Sequence, residues 1–278
     1  MQSLNMLRRS FFTALFFILL LLLISFSFAE EKATSPAQVQ KGQWAQYLAI
    51  STSVNANLLT AKVVAIEKMN GQKYFWWETI KKLYNYNSSL FSVEAHKDKG
   101  PTDHTFQLSY PYTEELSMGD SLKLCYLTPL NDLKKIRHID PSTNAYKYLG
   151  KEFIDNEIFA NSHVSYRNKI IEYIISNKPG KLKSTKLKVL NTEYSCEYFS
   201  FKDKANNIKA ELWYSASVPF GGLVLAKISP YRANTSILNI EEKIMPATTF
   251  VLLGHGNDPK EISTISQEKI ELLIKKYR

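Results

Sequence analysis

Residues 206–227 read NNIKAELWYSASVPFGGLVLAK, and Ile208, Ala210, Leu212 and Tyr214 alternate there with Lys209, Glu211, Trp213 and Ser215. A period of two places the first set on one face of a strand. The next arm, Leu-Val-Leu-Ala-Lys-Ile from 223 to 228, is apolar on both faces. That composition suits a strand enclosed between two layers. The arms meet at Val218-Pro219-Phe220-Gly221-Gly222, where proline fixes φ and the glycines accept positive φ, so a tight corner is expected.

The same patterning runs through most of the chain. Residues 43–53, 57–68 and 73–83 read as a three-stranded meander, with Asn70-Gly71 supplying a type I′ turn. The third run contains Tyr74-Phe75-Trp76-Trp77, so neither of its faces suits full solvation. A strand is expected at 104–110, stopped by Pro111, and another at 121–128 after a Met118-Gly119-Asp120 turn. Residues 131–138 read as a helical turn stopped by Pro141, and 143–159 has no clean period. In 164–176, Tyr166, Ile170, Tyr173 and Ile174 share one helical face, and Asn177-Lys178-Pro179-Gly180 stops the helix. Strands resume at 183–190, 193–202, 208–215, 223–228, 236–244 and 249–254. The last element, 266–278, is an amphipathic helix: Ser266 caps it, Ile270, Leu273, Ile274 and Tyr277 form the apolar face, and Lys275, Lys276 and Arg278 close its last turn. The fold class expected is mainly β (α+β). Its economical form is a single curved antiparallel sheet, a half-open β-barrel with helices over the open side.

The N-terminus changes how much of the chain folds. Arg8 and Arg9 precede an apolar run from 11 to 28, and Ser27 and Ala29 are the small residues of a cleavage site before Glu30. This is the plan of a secretory signal peptide. The expected organisation is a leader at 1–29, an exposed lead-in at 30–41, and one domain at 42–278. An uncleaved membrane anchor is the alternative, because the run sits at the lower limit for crossing a bilayer. No cysteine lies near the junction, which argues against a lipid-modified N-terminus. The location expected is periplasmic or secreted.

The formal charge is +9. Pairs such as Lys81-Lys82, Lys134-Lys135 and Lys275-Lys276 suggest a dispersed, solvated basic surface, not a nucleic-acid groove. Contact with an anionic membrane surface is compatible with that charge. Cys125 and Cys196 are the two cysteines. Both fall in predicted strands, and export would permit a disulfide worth about 4 kcal/mol in the chain-entropy model; buried free thiols are the alternative.

The residues that carry catalysis are sparse. His96, His104, His138, His163 and His255 are scattered singly, without metal-ligand spacing, so neither metal nor cofactor is expected. No nucleophile elbow, phosphate loop or dinucleotide fingerprint is present. Asp103-His104 and Gly254-His255-Gly256 with Asp258 are the residual candidates; the two glycines read more simply as punctuation at a strand end. The chain therefore reads as non-enzymatic. The aromatics remain, and Trp44, Phe75, Trp76, Trp213 and Phe220 are candidates to line an apolar cavity, with an ordinary filled core as the competing reading.

Five segments occur in order: Gly42-x-Trp44-x-x-Tyr47, Tyr74-Phe75-Trp76-Trp77-Glu78, Thr192-Glu193-Tyr194-x-Cys196, Leu212-Trp213-Tyr214-Ser215 with Val218-Pro219-Phe220-Gly221-Gly222-Leu223-Val224, and Leu252-Leu253-Gly254-x-Gly256. Together they resemble exported bacterial proteins related to the periplasmic lipoprotein-carrier (LolA/LolB-like) superfamily. The resemblance implies an unclosed barrel of about eleven strands, capped by helices, whose concave face accepts acyl chains. The arginine that holds the lid in such carriers has no match by motif. Two functions follow as expectations: binding of a lipid or lipoprotein acyl chain or similar apolar ligand, or a structural or interaction role in the envelope with a filled barrel.

Overall fold

The computed structural model describes residues 38–51, 55–87, 92–95, 105–126, 133–139, 146–149, 162–230 and 247–277, all within one compact unit, Pro36–Arg278. The leader, its cleavage junction and the expected strand 236–244 lie outside the described residues. Among the described residues twelve strands form one antiparallel sheet. In chain order they are β1 (Trp44–Ser51), β2 (Asn55–Met69), β3 (Gln72–Asn87), β4 (Ser92–Ala95), β5 (Thr105–Pro111), β6 (Lys135–Ile139), β7 (Tyr146–Leu149), β8 (Lys183–Val189), β9 (Thr192–Asp203), β10 (Ile208–Tyr214), β11 (Leu223–Pro230) and β12 (Thr248–Gly256). Among the described residues three α-helices accompany them: α1 (Met118–Cys125), α2 (Ser162–Ser176) and α3 (Gln267–Tyr277).

The spatial order is β7-β6-β5-β3-β2-β1-β12-β11-β10-β9-β8, with β4 beside β3. Two meanders, one from each half of the chain, are therefore joined where β1 pairs with β12, Leu48 opposite Val251 and Ala49 opposite Phe250. The sheet is open, with β7 and β8 at its two ends. Its C-terminal limb curls, because β8 comes back into contact with β12 and the ring of Tyr194 lies 6.1 Å from that of His255.

Several elements follow directly from the side chains. Asn70 (φ 50°) and Gly71 (φ 80°) make the positive-φ turn between β2 and β3, as the Asn-Gly pair requires. In β10 buried and half-buried residues alternate strictly. β1 is buried along nearly its whole length, because it lies at the centre with cover on both faces.

Registers define those faces. Ala45, Tyr47 and Ala49 share one with Leu59, Ala61, Phe250, Ala226 and Leu212; this inner face carries α1 and α2. Trp44, Leu48 and Ile50 project from the other, where α3 packs through Ile270, Leu273, Ile274 and Tyr277. The Thr249 hydroxyl on that face donates to the Tyr277 carbonyl at 3.4 Å.

Three sequence expectations are corrected. Residues 118–125 form a helix, not a turn and strand. Ser117 is its N-cap: the backbone N–H of Asp120 donates to Ser117 Oγ at 3.2 Å, and the Ser117 N–H donates to Asp120 Oδ2 at 2.9 Å, a reciprocal capping box. The helix is buried on nearly every side, so Leu122, Leu124 and Tyr126 imitate the alternation of a strand. Residues 135–139 form a strand, not a helical turn, because they complete the β5 edge with Ile136 opposite Leu108 and Arg137 opposite Gln107. Val39, placed in the exposed lead-in, is buried and donates its N–H to the Glu114 carbonyl at 2.8 Å.

Gly221 and Gly71 both have positive φ, but only Gly221 is hemmed in. A Cβ there would collide with the Ser117 carbonyl and Ser121 Oγ, whereas at Gly71 it would meet nothing within 4 Å. Gly71→Ala is expected to cost about 1 kcal/mol, the conformational penalty alone. Gly221→Ala should cost about 3 kcal/mol or more, because the α1 start must also move. Urea melts of the two variants check the difference, and equal losses would contradict it.

Candidate ligand site inside the sheet

The corner at 218–222 is the seat of α1. Its own backbone is tight: Ser215 N–H donates to the Gly222 carbonyl at 2.7 Å and Val218 N–H to the Ser215 carbonyl at 3.1 Å. Phe220 takes φ 63°, followed by Gly221 and Gly222 at 83° each. A bulky side chain in the left-handed region costs roughly 1–2 kcal/mol. The contacts made there offset that strain. Ser121 Oγ of α1 donates to the Phe220 carbonyl, and the Phe220 ring meets Trp77 edge to face at 4.4 Å. On either side, the Tyr214 hydroxyl donates to the Met118 carbonyl at 3.3 Å and the Tyr47 hydroxyl to the Leu223 carbonyl at 3.1 Å.

Tyr47, Leu59, Ala61, Trp77, Leu124 and Phe220 surround a gap of about 10 Å³, room for roughly one water. α2 lies behind α1; the Lys123 ammonium, on a buried side chain, pairs with Glu172 Oε1 at 3.1 Å.

The five cavity candidates do not converge. Phe75 faces inward but packs on Tyr110, centroids 5.5 Å apart, and Phe220 is part of the plug. Trp44, Trp76 and Trp213 project from the opposite face. Trp213 lies 4.7 Å from Tyr198. Trp44 lies over Gly254 and Gly256, whose absent side chains give the indole its place: a Cβ at Gly256 would be 2.8 Å from Trp44 Nε1. Gly254 lies inside β12 and Gly256 ends it, as strand-end punctuation would, and both accommodate the ring.

Trp76 belongs to a polar layer on the outer face. Its Nε1 donates to Glu67 Oε2 at 2.8 Å, and the Arg137 guanidinium sits 4.0 Å above its ring. Arg137 Nε donates to Gln107 Oε1 at 2.6 Å, Gln107 Nε2 to Glu78 Oε2 at 2.8 Å, and Lys62 pairs with Glu78 at 2.6 Å. The layer crosses β2, β3, β5 and β6. It was missed in the sequence because its members are far apart along the chain.

Cys125 and Cys196 are both buried and free, so the disulfide is not formed. Cys125 lies on α1, not on a strand. Burial pushes the Cys196 thiol up to about 11 and the Cys125 thiol higher still. Burial likewise raises the Tyr47 and Tyr214 hydroxyls, with Cys125 nearby adding to both. Burial thus keeps these thiols and hydroxyls protonated. His255, which burial shifts down, faces Tyr194. Among the described residues no group of three or more His, Cys, Asp or Glu is placed to hold a metal, and no helix is long and apolar enough to cross a membrane. His104 and Asp103 lie outside the described residues.

A second recess, about 220 Å³, lies on the outer face beside the end of α3, bordered by Ile50, Lys209, Glu211, Lys227, Ile228 and Tyr277. It is open and partly polar.

No family model matches the chain, and no curated protein matches it. Two solved structures are similar. A candidate lipoprotein from Parabacteroides distasonis ATCC 8503 aligns over 81% of this chain and 98% of its own, at 10% identity and a TM-score of 0.29. A candidate exported protein with YmcC-like fold from Bacteroides fragilis NCTC 9343 aligns over 80% of this chain and 99% of its own, at 8% identity and a TM-score of 0.27. Scores this low identify neither a shared fold nor a function.

The thiols give a direct test. At pH 8 a group titrating near 11 is about one part in a thousand thiolate. Native protein should resist iodoacetamide at both cysteines, and denatured protein should take up two equivalents by mass spectrometry. Because the folded state holds these protons more tightly than the unfolded chain, their contribution is complete below the ordinary thiol value of 9.0 and is lost as pH rises through about 11. Stability should therefore fall above about pH 9, and a urea midpoint that is flat from pH 8 to 11 would contradict the burial.

Proposed function

We propose that this chain is an exported, non-enzymatic protein of a bacterial envelope that acts through its surface, with an interior occupied by its own side chains. On this reading the curled sheet is a half-barrel, and α1 is its permanent filling. The observation that supports it is the gap of about 10 Å³ among Tyr47, Trp77, Leu124 and Phe220, where one acyl chain would need many times that space. Export rests on the leader pattern at 1–29. The absence of catalytic motifs in the sequence supports a non-enzymatic role.

Acyl-chain carriage, the other expectation from the family resemblance, would require α1 to leave its seat. That movement would break the Ser121 and Tyr214 hydrogen bonds to and from α1 and expose Leu122, Leu124 and Cys125. A carrier would have to recover that cost from its ligand.

Organic extraction of the purified protein followed by mass spectrometry should yield no stoichiometric lipid, and cis-parinaric acid should show no saturable fluorescence gain. Leu124→Ala should destabilise by about 2–5 kcal/mol, the cost of emptying a packed site. A side chain lining an open ligand cavity would cost far less. Recovered lipid together with a near-neutral Leu124→Ala would replace this reading with the carrier.

A further inference from the structure

One run of lysines stands out from the otherwise dispersed basic surface. Between residues 177 and 192 the chain carries Lys178, Lys181, Lys183, Lys186 and Lys188 and no acidic residue. All five are exposed. They occupy the turn after α2 and the length of β8, the last strand on its side of the sheet. Lys186 pairs with Glu193 at 3.2 Å, but the two side chains are 72% and 59% exposed, an arrangement that holds little in water. Alternation puts Lys186 and Lys188 on one face of β8, where Glu193 stands opposite Lys188, and Lys183 on the other, which continues to Lys202 of β9 opposite Lys209 of β10. Like charges directly opposed on a sheet repel.

Lysines on an edge strand also discourage unwanted pairing with another strand. That purpose accounts for Lys183, Lys186 and Lys188. It does not account for Lys178 and Lys181, which precede the strand.

We propose that the β8 limb is a docking surface for an anionic lipid bilayer. An ammonium on a flexible stem suits mobile headgroups, and each lysine near such a surface strengthens binding about fivefold. Nucleic-acid and protein partners fit less well. No arginine occurs between 177 and 209, so the planar fork that grips phosphates or anchors protein interfaces is missing. Nor does the patch offer a stacking platform, because Tyr194 and Phe199 are buried and Tyr198 packs on Trp213. The inference goes beyond the filled interior and stands whether or not α1 is permanent.

Vesicle co-sedimentation of the full chain tests it, comparing phosphatidylcholine with phosphatidylcholine doped with phosphatidylglycerol. Residues 1–29 are identical in the parent and in every variant, so differences among them read the substituted lysines. Binding to the doped vesicles should be at least about tenfold stronger at low salt, and the excess should shrink as salt rises. K181E/K183E/K186E/K188E should abolish that excess with an unchanged melting curve. Should this variant fail to fold, the neutral K181Q/K183Q/K186Q/K188Q should lower it in the same direction. Reversing four exposed lysines elsewhere, K81E/K260E/K269E/K275E, should leave most of it. Equal binding to both vesicle types overturns the proposal. So does an equal loss with the control variant, or double-stranded DNA competing more tightly than lipid.

Discussion

The Ser117 carbonyl at the start of α1 meets the backbone of Gly221 in a space where no side chain fits, and the inner half of the molecule depends on that contact. Gly221 can approach because it lacks a Cβ and holds φ at 83°. The approach brings Ser121 Oγ to the Phe220 carbonyl and fixes the angle at which the helix crosses the sheet. Leu122, Leu124 and Cys125 are then buried, and Phe220 is held against Trp77. Backbone strain at one corner is thus offset by burial of a whole helix, a trade that favours a fixed interior over an adaptable one.

The second constraint is the pairing of β1 with β12. Those strands lie about two hundred residues apart, yet their register joins two meanders that are each built from local hairpins. Local hairpins close quickly, whereas a pairing of such separation carries a large loop-closure cost and slows folding. Trp44 contributes to this seam through the glycines of β12 beneath its ring. The seam is also where cover is heaviest, with α3 on one face and the tyrosine-rich interior on the other.

Most strands of the sheet were legible because period-two alternation is a local property, as the correspondence of 208–215 with β10 and of 249–254 with β12 illustrates. α2 and α3 were legible for the same reason at period 3.6. α1 was not, since a short helix buried on all sides loses the polar face that would mark it, and Ser117-x-x-Asp120 was too brief a signal to override Leu122, Leu124 and Tyr126. β6 was missed because its pattern, Ile136 and Arg137 both buried, makes sense only beside Gln107. Of the candidate site, the identity of the aromatics was readable but their facing was not. Phe75 and Trp76 are neighbours in sequence and therefore lie on opposite sides of the sheet.

That separation of faces has a consequence for how the N-terminal limb keeps its register. Lys62, Glu78, Gln107, Arg137 and Glu67 form a connected layer on the outer face, with Glu78 and Arg137 nearly withdrawn from water. Burying charge costs free energy that mutual attraction only partly returns, so the layer is a weak source of stability. Its effect on pairing is stronger. A slip of one residue in β3 would send Glu78 into the apolar interior and Trp77 out to the polar side, moving every side chain of the strand at once. The same displacement would strip Phe220 of its aromatic partner and unseat the corner that carries α1. The polar layer on one face and the packed helix on the other therefore select the same register, and each excludes the alternatives the other would leave open.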